Sequence, residues 1–198
     1  MNYYYNINYL HKALYVILGG GTMDVKMREK INEFADAVRE TFEISSPVEN
    51  MDEIIMQIGG TINVALFLPE FADGKIERSG DGFIITIPLF QNENRKRFSI
   101  AHELGHLFIH MGYLTDEETW QLNENNVYLR KEIGEMEYQA NEFAAAFLMP
   151  KKEFIKKMQE NCLDGGYDIE KVAEFFKVSL DAAITRARWL NLISWGSL

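Results

Sequence analysis

At 198 residues, with 47% hydrophobic and 25% charged residues, the chain has the make-up of a globular protein with one core and room for a small appendage. Its formal net charge of −10 argues against a nucleic-acid-binding surface as its main business, because neutralising phosphates supplies most non-specific affinity. A single cysteine, Cys162, excludes an intramolecular disulfide, and no run approaches the roughly 18 apolar residues of a membrane span, so a cytoplasmic protein is expected.

Residues 1–22 are rich in Tyr and Asn and end Gly19-Gly20-Gly21-Thr22 ahead of Met23. Little fixed structure is expected there, and Met23 is read as the native start. From Asp24 the pattern turns helical: Val25, Ile31, Phe34, Ala35, Val38 and Phe42 recur at three- and four-residue spacings, and Ser45-Ser46-Pro47 breaks the run. A second helix is predicted over 51–58, with Gly59-Gly60 as its stop. Residues 61–68, 75–78 and 83–87 read as strands, with Ser79-Gly80-Asp81-Gly82 as a turn. They predict a small antiparallel sheet whose edge can hold an extended peptide by main-chain hydrogen bonds.

The polar run Asn92-Glu93-Asn94-Arg95-Lys96-Arg97 reads as a solvated loop, with Arg97 a candidate for orienting a carboxylate. An apolar helix follows over 98–111, with Ser99 as its expected N-cap. Residues 115–130 are polar and irregular, a loop with a short helix and a candidate lid. Residues 133–149 are helical, with Met136, Ala140, Phe143, Ala144, Phe147 and Leu148 on one face and Pro150 as the stop. Over 167–192 the pattern is helix, turn, helix, with Ser179 as cap, the outline of a helix-turn-helix. From Lys151 onward eight Lys/Arg face seven Asp/Glu. That near-neutrality favours a hairpin packed on the preceding domain, or gripping a protein partner, over direct DNA contact.

The chemistry lies in Ile100-Ala101-His102-Glu103-Leu104-Gly105-His106. Positions four apart on a helix are rotated by only about 40°, so His102 and His106 project from one face and can hold one metal ion. Glu103 sits one step round, where it can act as a base on water but is not itself a ligand. Leu104, Leu107 and Phe108 make the helix apolar, so the histidines belong to a core helix and need partners. Gly105 costs helix stability relative to alanine, a sign that something packs close to the backbone there.

A hydrolytic zinc site takes three protein ligands and leaves a position for water. His110 would stand in a row with His102 and His106 and cannot converge with them, so it reads as a residue behind the ligands or in the core. A third histidine six positions past His106 is excluded, because Gly112 is there. The 133–149 helix offers a better choice in Glu137, at the border of its apolar face, with Asn141 one turn along. Glu132, Glu135 and Glu142 point more toward solvent on the same wheel.

Two segments carry a family resemblance. Arg95-Lys96-Arg97-Phe98 running into Ser99-Ile100-Ala101-His102-Glu103-Leu104-Gly105-His106 resembles one signature of the ImmA/IrrE zinc metallopeptidases. Glu137-Tyr138-Gln139-Ala140-Asn141-Glu142-Phe143-Ala144, with Leu148-Met149-Pro150, resembles the other. The resemblance implies Zn²⁺ on His102, His106 and Glu137, and Glu103 as catalytic base. It also implies a protein substrate, a helix-turn-helix repressor of a mobile element or stress response.

The expected protein is therefore α+β, with a zincin-like metallopeptidase domain over 23–150 and a C-terminal helical, helix-turn-helix-like segment over 151–198. The expected activity is zinc-dependent, site-specific endoproteolysis of that repressor. The alternative is a non-proteolytic anti-repressor that sequesters it. His110, Tyr113, Tyr128 and Tyr138 are the candidate oxyanion donors.

Overall fold

A computed structural model describes Leu10 and residues 23–68, 72–122, 133–163 and 166–196. Helix α1, Val25–Thr41, starts where the Asp24 side chain accepts from the Met27 amide at 2.8 Å, and it buries Met27, Ile31, Phe34, Ala35 and Val38. Helix α2, Met51–Ile58, is capped by Asn50 and ended by Gly59, whose φ of 110° lies in the left-handed region that favours glycine. Three strands follow, β1 (Gly60–Ala65), β2 (Lys75–Ser79) and β3 (Gly82–Pro88).

The sheet is mixed, not antiparallel as expected. Its order is β1-β3-β2, with β1 parallel to β3 in the register Gly60↔Phe83 to Ala65↔Pro88, and only β2 antiparallel to β3. The chain leaves β1, forms β2 on the far side, and turns at 79–82 to lay β3 between them. Composition suits this order. Phe83, Ile85 and Ile87 of the central strand are buried, while Lys-Ile-Glu-Arg-Ser of β2 alternates between half-buried and exposed, as an edge strand should.

The run expected to be a solvated loop is instead the start of the next helix. Helix α3 spans Glu93–Gly105, and the Asn92 side chain accepts from the Arg95 amide at 2.9 Å. Asn92 therefore replaces Ser99 as the cap, and Ser99 is buried within the helix. Arg97 does not orient a carboxylate. Its guanidinium donates to the carbonyls of Val48 and Lys177, so it ties α3 to two distant loops. After Gly105 the helix widens into a π-helical turn, His106–His110, closed by the Met111 amide donating to the His106 carbonyl at 2.9 Å.

Helices α4 (Glu117–Leu122), α5 (Ile133–Leu148) and α6 (Lys151–Glu160) follow, then the two-stranded ribbon β4 (Cys162–Leu163) and β5 (Gly166–Tyr167). The chain closes with α7 (Ile169–Phe176) and α8 (Leu180–Trp189), the latter capped by Ser179 as read from the sequence. Helix α5 packs on both α1 and α3. Phe34, Phe108 and Phe143 join the three elements, with ring centroids 6.0–6.2 Å apart.

The core runs without a break from Leu10 and α1 through Val172, Phe176, Ala183 and Ala187 of the last two helices. Apart from Leu10, the expected leader over 1–22 lies outside the described residues, as do the second half of the candidate lid and Tyr128. Among the described residues, no helix is long and apolar enough to cross a membrane.

Candidate metal centre

Helix α5 crosses α3 at Gly105. A Cβ built there would lie 2.9 Å from the Ala140 Cα and 3.2 Å from both the Ala140 carbonyl oxygen and the Phe143 Cβ. The close approach inferred from this glycine is thus the contact of two helix backbones, and it carries Glu137 across to the histidines. Gly105→Ala is expected to destabilise the protein, because forcing the helices apart costs about 1–3 kcal/mol. The gain of roughly 1 kcal/mol in helix propensity offsets only part of this. A thermal melt reads the change, and an unchanged or raised Tm would contradict the packing argument.

The three acceptor groups converge. His102 Nε2 and His106 Nε2 are 3.0 Å apart, and the Glu137 carboxylate oxygens stand 3.2 Å from the first and 3.3 Å from the second. Among the described residues these three form the group whose ligand atoms could share one ion. Donors about 2.0–2.1 Å from a tetrahedral zinc stand roughly 3.3 Å from one another, so the spacing fits.

Proton positions fit too. His102 Nδ1 lies 3.0 Å from Asn141 Oδ1, an oxygen that can only accept, so Nδ1 carries the proton and Nε2 is a bare lone pair. A bare nitrogen facing a carboxylate and a second imidazole is a donor set that wants a cation. Glu137, whose side chain is 47% exposed, leaves one side of the cluster open.

Electrostatics follow from burial and from this crowding. The His102 and His106 imidazoles beside it, against a smaller upward push from burial, hold the Glu137 carboxyl well below the usual carboxylate range. Burial pulls His102 down, but the adjoining Glu137 carboxylate and the charge of Glu103 outweigh it and leave the group raised. Burial pushes Glu103 up, with a smaller push from the Glu137 charge, against the pull of both histidines. Burial, with His106 beside it, lowers His110 to about 4. Glu103 is only 7% exposed and rests against Gly74, just before β2, where a Cβ would come 2.7 Å from its Oε1. The edge strand β2 therefore begins at the carboxylate.

The remaining candidates sort by their contacts. His110 lies behind His106, as read from the sequence, with Nδ1 3.0 Å from the His106 Nδ1. Tyr113 is a core residue whose hydroxyl donates to the Ile58 carbonyl at 2.8 Å, so it is unavailable to an oxyanion. Tyr138 is exposed. Glu142, expected toward solvent, is 5% exposed and bonded to Arg28, Asn32 and Arg186. It faces α1 and α8, which a single-helix wheel cannot reveal. Sequence reasoning gave no role to Gly74 or Gln139. Gln139 stood inside the second signature, whereas Gly74 has no local signal at all.

The Peptidase_M78 model, described as an IrrE N-terminal-like domain, matches residues 66–188. No curated protein matches the chain. Among solved structures, a Mycobacterium tuberculosis transcriptional regulator is similar in fold, with a TM-score of 0.51 at 14% identity. The match covers 95% of this chain and 52% of that one, so the chain spans about half the length of that regulator.

Proposed function

The chain belongs to the Peptidase_M78 family of IrrE N-terminal-like domains, and on that premise we propose that it is a zinc-dependent endopeptidase with a zincin-like catalytic domain. The observation that carries this reading is the convergence of His102, His106 and Glu137 at 3.0–3.3 Å with Glu103 buried beside them. In this reading the two imidazoles and the Glu137 carboxylate hold zinc and leave one position open toward solvent. When bound, the metal lowers the pKa of water and polarises the scissile carbonyl. Glu103 takes the proton of the attacking water and delivers it to the leaving amine. The edge of β2, which follows directly on Gly74 against Glu103, receives the substrate backbone as an added strand. Tyr138, exposed and next to Glu137, is the described residue left to serve the oxyanion.

The substrate in this proposal is a helix-turn-helix repressor in the cytoplasm. The regulatory name of the structurally similar protein supports such a setting. Helices α7 and α8 act here as support for the catalytic domain. Arg186 of α8 donates to Glu142 at 3.0 Å and to the Met149 carbonyl at 3.1 Å, so this cation faces inward, away from any phosphate.

Zinc-loaded protein incubated with the repressor encoded beside its gene is expected to yield two fragments that sum to one hydrolysed bond by intact mass. A chelator should abolish the cut. An intact repressor held in a stable complex would favour sequestration instead.

A further inference from the structure

Behind the proposed ligands, three side chains stand in line. His106 Nδ1 is 3.0 Å from His110 Nδ1, and His110 Nε2 is 3.0 Å from Gln139 Oε1. With both imidazoles neutral, the proton positions along this line follow from Gln139. The Gln139 oxygen can only accept, so His110 carries its proton on Nε2. The neutral His110 then offers a bare Nδ1, and the facing His106 Nδ1 must be the donor. His106 Nε2 is left as a lone pair aimed at His102 and Glu137.

We infer that His110 is a positioning residue, which with Gln139 fixes the tautomer and ring orientation of His106 for metal binding. The inference rests on the metal-centre reading above and extends it to residues outside the ligand set. Ligand histidines ordinarily give this second proton to a carboxylate, a backbone carbonyl or water. Here a neutral imidazole takes it, so His106 is oriented without a further negative charge beside the ion. The π turn belongs to the device. Its wider register, closed by Met111 onto His106, sets the two rings 5.0 Å apart between centroids with their Nδ1 atoms facing.

Helix α5 thus serves both ligands from one side. Asn141 holds His102 directly at 3.0 Å, and Gln139 holds His106 through His110.

Zinc affinity measured by competition with a chromophoric chelator tests this, together with two variants. His110→Phe keeps an apolar ring but removes the acceptor, and is expected to weaken zinc binding about 10–100-fold. His110→Asn places an amide oxygen where Nδ1 stood, and is expected to recover most of the affinity. Simple core filling predicts the reverse order. Long-range ¹H–¹⁵N correlation spectra of the zinc-loaded wild type are expected to show His110 protonated at Nε2 and His106 at Nδ1, which covers the case in which a variant does not fold. A folded His110→Phe protein with wild-type zinc affinity, or His110 protonated at Nδ1, would overturn the relay and leave the metal centre standing. A wild type that takes up no zinc would overturn both.

Discussion

Glu103→Gln is expected to lower the rate of substrate cleavage by about 10²–10⁴-fold, the usual contribution of a positioned general base, and to leave zinc bound. The two halves of this expectation come from different observations. Zinc retention follows because the candidate ligand atoms belong to His102, His106 and Glu137, and an amide nearly isosteric with the carboxylate fills the same space against Gly74. Loss of rate follows because an amide cannot accept the proton of water. Burial of Glu103 raises its proton affinity, which suits a base. Metal content and cleavage by intact mass, measured on one preparation, separate the two effects. Cleavage retained at the wild-type rate with zinc bound would remove Glu103 from the chemistry. A variant that lost zinc as well would show only that the site had collapsed.

The shared face of His102 and His106 was legible because its geometry is local: a four-residue spacing on one helix needs no tertiary information. Glu137 was reachable because α5 is long and periodic. The helix ends at Asp24, Asn50 and Ser179 obey capping chemistry that a few residues contain. What could not be seen were pairings between distant segments. Glu93 to Arg97 reads as a polar loop because its one inward cation, Arg97, is satisfied by the carbonyls of Val48 and Lys177, which are 49 and 80 residues away. Strand order was equally hidden. Phe83 to Ile87 is the most apolar strand, but nothing in its own residues says that β1 joins it in parallel on one side and β2 antiparallel on the other.

Glu142 is where this blindness has its largest energetic consequence. Arg186 is 2% exposed, so burial pulls its pKa down, and the charges of Glu142 and Asp36 act against that pull. Arg28 reaches the other Glu142 oxygen at 2.6 Å while its guanidinium lies 3.4 Å over the Trp189 ring, and Asn32 completes the set. Glu142→Ala leaves Arg186 buried without its carboxylate, and breaking a buried pair in this way costs about 3–5 kcal/mol.

For a chain of this size, a loss of that order lowers Tm by roughly 6–20 °C. Adding Arg186→Met to Glu142→Ala is expected to recover much of the loss, since the uncompensated charge is then gone. The cost is not confined to stability. Glu142 directly follows Asn141 and lies on the helix that carries Glu137, so the candidate ligands inherit their position from an ion pair they never touch. A Glu142→Ala protein that melts like the wild type would mean that α8 relaxes to let water reach Arg186, and the C-terminal helices would then be an accessory to the site and not its brace.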